Sequence, residues 1–241
     1  MASMKRRIQY SLRTLLVALT VISVVLGISV QLAWRQRDVV DAIRKKTGVM
    51  VQYDYQDEHS RSKNPSGIAA QPLGAKLLGI DMVADVVGVT VMGWERGPAP
   101  FDDTDMALVS AFSKLKYLRL DGTKVTDHGL GSLVDLRHLK SVYLRGFPVT
   151  DAGVKYIAQL PELSALILDC PNAINEAGFA MLARSPMTFL DLRDTPITDS
   201  DLLELARSNT LKEIHLSGRQ LSSDGQSAFE RINTRCKLKV K

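Results

Sequence analysis

The sequence has few of the residues that metal and thiol chemistry require. Among 241 residues there are two cysteines and four histidines, and no histidine stands at a spacing typical of metal ligands. The densest group of potential ligands, Asp57-Glu58-His59, lies in a polar stretch that favours a solvated turn. The sequence therefore predicts no metal site and no cofactor.

Motifs of common enzymes are missing as well. There is no Gly-x-Ser-x-Gly nucleophile elbow, and Cys170 has no predicted histidine neighbour. The glycines between residues 67 and 76 are spaced too widely for a phosphate-binding loop, and Lys76 is not followed by Ser or Thr. We expect no enzymatic activity. An enzyme that uses the loop around His59 is the alternative, and a His59 variant would test it.

Charged residues are absent from one long stretch near the N-terminus. Residues 14–34 are uncharged, and as an α-helix they would be about 31 Å long, enough to cross a bilayer. The net charge is +7 up to Lys46 and, because the whole chain carries +5, −2 after it. The basic character therefore belongs to the flanks of this stretch and does not indicate nucleic-acid binding.

The flanking charges predict an orientation for this segment. Arg6, Arg7 and Arg13 precede it and favour a cytoplasmic N-terminus, although Arg35 and Arg37 on the other side weaken the asymmetry. The remainder of the chain would then lie outside the cytoplasm. A cleaved signal peptide is the alternative, but no clear small-x-small cleavage site follows the apolar run.

A 24-residue repeat organises most of the remaining chain. The same position of successive units, 24 residues apart, holds Leu115, Leu139, Leu163, Met187 and Leu211. In each unit a Leu-x-x-Leu-x-Leu segment alternates like a strand, and a Gly-Leu-x-x-Leu segment has helical spacing. One such unit cannot bury its own apolar side, so neighbours must stack and share a core. We predict an α/β solenoid with a parallel sheet inside and helices outside.

The predicted helices begin with good capping residues. The predicted N-caps are Thr126, Thr150, Asn175, Thr198 and Ser222. A carboxylate that would meet the positive end of the helix dipole follows in Asp127, Asp151, Glu176 and Asp199. Cys170 and Cys236 fall three units apart, about 14 Å at about 4.8 Å per strand, which is too far for a disulfide. We expect two free thiols.

The chain between the apolar run and the repeats supplies a connector. Residues 38–46 have a helical composition, and Val49, Val51, Tyr53 and Tyr55 alternate with polar residues as in a strand that would cap the array. A polar loop follows at 56–71, and Val89 and Val91 align with the strand of the next unit. The predicted domains are a cytoplasmic basic tail (1–13), a transmembrane helix (14–34), a connector and N-terminal cap (35–76) and a repeat domain (77–241).

Two sets of residues carry a family resemblance. The unit Leu-x-x-Leu-x-Leu-x-x-Thr-x-Val/Ile-Thr-Asp-x-Gly-Leu resembles the leucine-rich repeats of the cysteine-containing, ribonuclease-inhibitor-like class. The segments Ser11-Leu12-Arg13-Thr14-Leu15-Leu16, Val51-x-Tyr53-Asp54-Tyr55 and Val86-Val87-Gly88-Val89 resemble a group of bacterial membrane-anchored repeat proteins. The resemblance implies a fold more than a function. The turn position that this class gives to Asn or Cys holds Thr123, Phe147, Pro171, Thr195 and Arg219, and Cys170 sits one place early.

The register predicts which side chains lie on the sheet face away from the helices. One row on this face alternates in charge through Asp121, Arg145, Asp169 and Arg193, which would let neighbouring strands pair charge to charge. We favour a solvated ladder in this row, worth under about 1 kcal/mol per pair. Aromatic and arginine side chains are enriched at binding hot spots. We therefore predict a partner site formed by Tyr117, Arg119, Tyr143, Arg145, Ile167, Phe189, Asp191 and His215. Scattered surface hydrophobes are the alternative interpretation.

The predicted function is a membrane-anchored interaction module without enzymatic activity. Its partner would be a protein or an extended polymer, not a nucleic acid, and its membrane contact would be residues 14–34. One alternative is an adaptor of a ubiquitin-type ligase, which would need a helical recruitment domain where residues 38–75 are short and polar. A secreted repeat protein, released by signal-peptide cleavage, is the other.

Overall fold

The computed structural model describes residues 12–46, 48–54, 84–93, 101–146, 148–170, 174–217 and 221–240. The predictions made for the tail before residue 12, for Tyr55, for the loop at 56–71 and for the start of the array near Leu77 lie outside the described residues. The turn positions at 147, 171 and 219 also lie outside them.

Strands and helices alternate along the described chain. A long helix, α1 (Leu12–Arg44), precedes β1 (Val49–Tyr53) and β2 (Val86–Met92). The helices that follow are α2 (Asp103–Val109), α3 (Asp127–Leu130, continued by a 3-10 turn Gly131–Asp135), α4 (Asp151–Ala158), α5 (Glu176–Ala183), α6 (Asp199–Ala206) and α7 (Ser223–Ile232). Each is followed by a strand: β3 (Tyr117–Asp121), β4 (Ser141–Arg145), β5 (Ala165–Asp169), β6 (Phe189–Asp191), β7 (Glu213–Leu216) and β8 (Lys237–Val240).

All eight strands form one sheet in sequence order. Strand β1 pairs antiparallel with β2, and every later pair is parallel. The predicted repeat register is confirmed by the residue pairs Leu118 with Val142 and Leu166 with Leu190. Val89 pairs with Leu118, as the alignment of the earlier unit predicts. The chain is therefore α/β, with a mostly parallel eight-stranded sheet and a long apolar helix at its N-terminal end.

A continuous apolar core lies between the sheet and the helices. The strand residues that point toward the helices are buried, among them Leu118, Leu120, Val142, Leu144, Leu166, Leu168, Leu190, Leu192, Ile214 and Leu216. The helices contribute fully buried side chains to the same core: Met106, Leu130, Val154, Phe179, Leu202 and Phe229. Because each unit contributes to the same core, burial is shared between neighbours.

Helix α1 extends beyond the apolar run and joins the body. Thr14–Arg44 is long and apolar enough to cross a membrane, with a mean hydropathy of 2.5 in its most apolar window. Its C-terminal part continues the helix through residues 38–44 as predicted, and Val40 and Ile43 are fully buried in the core. The Gln36 amide nitrogen donates to the Ala84 carbonyl oxygen at 2.7 Å. One helix therefore combines an exposed apolar length with a docked end.

Aspartates at the helix starts bind the next unit. All five predicted N-cap residues accept a hydrogen bond from their own helix, so those predictions are confirmed. The Asp103 carboxylate accepts from the Thr126 backbone N–H (2.7 Å) and hydroxyl (2.6 Å). Equivalent bonds join Asp127 to Thr150, Asp151 to Asn175, and Asp199 to Ser222. We call this series the aspartate ladder; it ties each helix start to its neighbour.

The turn position that the resemblance gives to Asn or Cys is partly filled by threonine. The buried Thr195 hydroxyl donates to the Leu168 carbonyl oxygen (2.8 Å) and accepts from the Cys170 N–H (3.3 Å). Thr123 is buried too, but its hydroxyl has no hydrogen-bond partner among the described residues. Threonine can therefore link neighbouring turns, and does so between the third and fourth units.

The two cysteines are free, as predicted, and both are buried. Burial raises the pKa of Cys170 to about 12 and that of Cys236 to about 11. A thiol with such a pKa is a poor nucleophile at neutral pH because the thiolate is scarce. The cysteines therefore act as small core side chains.

Candidate functional site

Among the described elements, the helices that follow β2 cover only one face of the sheet and leave the other open. We call it the open face. Its first row contains Tyr117, Ser141, Ala165, Phe189, Glu213 and Lys237, and its second contains Arg119, Tyr143, Ile167, Asp191, His215 and Lys239. The third row contains Asp121, Arg145 and Asp169. The eight predicted site residues therefore share this face across β3 to β7.

Aromatic and cationic groups contact one another on the open face. The Arg119 guanidinium carbon lies 4.2 Å from the centroid of the Tyr143 ring, which is a cation–π distance. Phe189 and His215 meet edge to face with centroids 5.0 Å apart. Tyr117, in the same cluster of strands, is 39% exposed. These contacts hold large side chains in fixed orientations while leaving part of each surface accessible.

Two shallow hollows lie on these side chains. The first, about 370 Å³, is lined by Tyr143, Ile167, Leu168, Asp169, Phe189, Asp191, Arg193, Asp194 and His215. The second, about 410 Å³, is more polar and is lined by Tyr143, Arg145, Arg193, Asp194 and Ser217. Tyr143 borders both. Tyr117 and Arg119 lie on strand β3 and do not line either hollow.

Two carboxylates of the open face are covered, although the strand register places both on the face away from the helices. The side chains of Asp121 and Asp191 are only 4% and 6% exposed. The cause is an arginine two residues away on the same segment: Arg119 Nη2 lies 3.2 Å from Asp121 Oδ2, and Arg193 Nη2 lies 2.6 Å from Asp191 Oδ2. Asp191 therefore offers a partner little direct contact and instead orients Arg193.

The predicted charge pairing along the stack occurs once. Arg145 Nε lies 2.6 Å from Asp169 Oδ2 on the neighbouring strand. Partial burial raises the pKa of Asp169, and nearby Asp194 adds to this, while Arg145 opposes it. Asp121 and Arg193 instead bond within their own segments. The third row is therefore only partly the inter-strand ladder that we expected.

A charged cluster closes the C-terminal end of the open face. Glu213 accepts hydrogen bonds from Lys239 and His215, and these hold the pKa of Glu213 down at about 2. The His215 ring is thereby tied to Glu213 on one side and to Phe189 on the other. The open face thus changes from aromatic and arginine-rich on β3 to β6 to ionic on β7 and β8.

Five residues that line the hollows are absent from the predicted site: Leu168, Asp169, Arg193, Asp194 and Ser217. Arg193 was assigned to the charged row but not to the site, and Asp194 to neither. Both follow β6, which ends at Asp191, and both lie in a turn. The early end of this strand could not be predicted, because the alternation in the sequence continues through Leu192.

The site suits noncovalent recognition by rings and guanidinium groups. Within the described ranges, no group of three or more His, Cys, Asp or Glu residues is placed to hold a metal ion. No protein-family model matches the sequence. No curated protein matches it at a significant level.

Proposed function

We propose that this chain is a membrane-anchored leucine-rich-repeat solenoid whose concave sheet face binds a protein or extended polymer. The repeat register supports the solenoid assignment, because equivalent residues of successive units face one another in every parallel pair from β3 to β8. The open face would be the concave side. The repeat type is the ribonuclease-inhibitor-like class that the sequence resembles.

One observation carries the binding proposal. The rings of Tyr143, Phe189 and His215 and the side chain of Arg193 line one hollow. Arg119 lies over the Tyr143 ring, Phe189 contacts His215, and Asp191 holds the Arg193 guanidinium, so these groups are fixed in place. Aromatic and arginine side chains supply most of the binding energy at many interfaces, and fixing them in advance lowers the entropy cost of binding. This combination favours a binding role for the open face.

The membrane assignment rests on α1. Its apolar length is exposed, with none of its most apolar window buried in the body, while its C-terminal end is docked. We propose that residues 14–34 span the bilayer with the basic tail in the cytoplasm and the repeats outside it. Protease treatment of intact cells, which should digest the repeats but not the tail, tests this orientation. The mass of the mature chain distinguishes the uncleaved anchor from a secreted form.

The binding proposal is tested by photo-crosslinking from the open face. A photoreactive residue at Ile167 of the full-length chain should form an adduct in cells that is lost in the Tyr143→Ala/Phe189→Ala variant. The matched control, Val134→Ala/Ile232→Ala, removes two exposed apolar side chains from the helix side and should leave the adduct unchanged. If the adduct persists when Tyr143 and Phe189 are both truncated and circular dichroism is unaltered, the open face is not the binding site.

A further inference from the structure

The two edges of the parallel sheet carry opposite charge. The basic rim comprises the segments that lead from each of the helices α2 to α7 to the strand that follows it, with the last three helical residues. It has nine Lys or Arg and four Asp or Glu: Lys114, Lys116, Arg137, Lys140, Arg184, Arg207, Lys212, Arg231 and Arg235 against Asp135, Glu162, Glu204 and Glu230. Asp54 and Asp85, beside β2, are further acidic exceptions at this edge.

The opposite edge is acidic. The acidic rim comprises the described segments that lead from each strand to the next helix, with the first three helical residues. It has two Lys or Arg and ten Asp or Glu: Lys124 and Arg193 against Asp102, Asp103, Asp105, Asp127, Asp151, Glu176, Asp194, Asp199, Asp201 and Asp224. The body is therefore electrically polarised along the strand direction.

Helix α1 approaches the body from the basic rim. The Gln36 side chain donates a hydrogen bond to the Ala84 carbonyl oxygen. Ala84 lies just before β2, at the sheet edge that carries the basic rim. Ten residues after Gln36, Lys46 Nζ lies 3.0 Å from Asp105 Oδ2 on the acidic rim. The uncharged run ends at Trp34, only about 3 Å before Gln36 along the helix axis. A bilayer that contains this run would therefore lie on the side of the basic rim, close to the body.

The acidic rim has a structural explanation, whereas three exposed lysines of the basic rim lack one. Four of the acidic residues form the aspartate ladder, and favourable interaction with the helix dipole explains others. Lys114, Lys140 and Lys212 are exposed and make no ion pair with any described residue. Backbone bonds from Lys140 to Lys116 and from Lys116 to Val87 set lysines in a row beside β2. This row is suited to a surface of negative charge.

We propose that the basic rim lies against the bilayer and binds anionic lipid headgroups. This inference rests on the membrane anchor of the proposed function. Each lysine near an anionic surface gains electrostatic attraction within a Debye length. Because the strands then stand roughly along the membrane normal, the open face is held upright beside the bilayer and stays accessible to a partner.

The test uses the full-length chain in lipid nanodiscs made of phosphatidylcholine alone or with phosphatidylglycerol as roughly a third of the lipid. Lysine acetylation rates are measured residue by residue with mass spectrometry. With phosphatidylglycerol, Lys114, Lys140 and Lys212 should react roughly three-fold or more slowly. Lys124, on the acidic rim, should react at the same rate in both lipids. About 1 M salt, with a Debye length of about 3 Å, should remove the protection.

Two variants of equal charge change complete the experiment. Lys114→Glu/Lys140→Glu should abolish the protection of Lys212, whereas Lys124→Glu/Lys155→Glu should leave it intact. One outcome is that the chain stays in the lipid after an alkaline wash while its lysines react at equal rates in the two lipids. That result would refute the proposal that the basic rim binds lipid headgroups, but it would support the membrane anchor. A chain that the wash removes overturns the anchor and, with it, the rim.

Discussion

An aspartate in one unit and a glycine in the next occupy adjoining space. A Cβ added to Gly129, Gly153, Gly178 or Gly225 would lie 2.3 Å from the carboxylate of the ladder aspartate before it. The fourth unit lacks this glycine and has Asp201, and the preceding unit has Glu176 instead of aspartate. There, Asp201 itself accepts from the Thr198 N–H (2.9 Å) and hydroxyl (2.6 Å). The two positions therefore change together.

We predict that Gly225→Ala destabilises the protein by about 2 kcal/mol, because the new methyl group would overlap the Asp199 carboxylate. The control is Gly131→Ala, whose Cβ would lie 3.5 Å from the Tyr156 ring, an ordinary contact; its effect should stay within about 0.5 kcal/mol. Urea unfolding of the full-length chain in detergent measures both changes. In an Asp199→Ala background the cost of Gly225→Ala should shrink, and an unchanged cost would contradict the overlap.

The fourth unit permits a direct exchange of the two arrangements. Asp201→Gly alone should cost about 1 to 2 kcal/mol, because the capping box at Thr198 is lost. Glu176→Asp alone should also destabilise, because a shorter carboxylate would meet the Asp201 side chain. The double variant Glu176→Asp/Asp201→Gly recreates the arrangement of the other units. Its loss of unfolding free energy should therefore be smaller, by about 1 kcal/mol or more, than the sum of the losses in the two single variants. Strictly additive free energies of unfolding would show that the two positions are independent.

The sequence predicted these capping residues but not the bonds between units. An acidic residue after Thr126 or Thr150 is explained equally well by the helix dipole, so the pattern alone does not reveal a second partner. The burial of Asp121 and Asp191 was missed for a related reason. The alternation of a strand places both residues on the open face. It does not reveal that an arginine side chain covers each carboxylate.

At the scale of elements, α1 is both a candidate anchor and a cap. Val40 and Ile43 fill the end of the core that would otherwise be open, and β1 covers the edge of β2. The Arg44 guanidinium donates to the Tyr53 hydroxyl at 2.8 Å and joins the two capping elements. The sequence predicted the helix and the strand. The contact between the helix and the strand was not predicted, because it depends on single residues that occur outside the repeat pattern.

Truncating the docked end of α1 should loosen the body. We predict that Ile43→Ala lowers the free energy of unfolding by about 3 kcal/mol, because Ile43 is fully buried. The matched control is Ile28→Ala, at a position that is 54% exposed on the apolar length of the same helix. Far-UV circular dichroism during denaturation in detergent measures both variants. If they are equally stable, the docked end does not cap the core.

At the scale of the whole molecule, the sheet grows by addition of one strand at a time. Every strand neighbours only the strands before and after it in sequence. Equivalent residues of β3, β4 and β5 pair directly, as in Tyr117 with Ser141 and Ser141 with Ala165. The strand of each unit is therefore interchangeable in register with the strand of the next unit. Stability in such an array is a sum over units and their interfaces.

Removing one whole unit should therefore leave a folded protein. In a deletion of residues 141–164, Tyr117 would face Ala165 and the Asp127 carboxylate would face Asn175, so the buried strand positions and the helix caps keep their residue types, although Asp121 would then lie beside Asp169. We expect cooperative unfolding with a loss of about 1 to 4 kcal/mol, from about 0.05 to 0.15 kcal/mol per residue. Deleting residues 141–152 removes half as much chain but leaves a helix without its strand, so it should prevent folding. If the shorter deletion were the better tolerated one in denaturation experiments, the units would not be the building blocks of the fold.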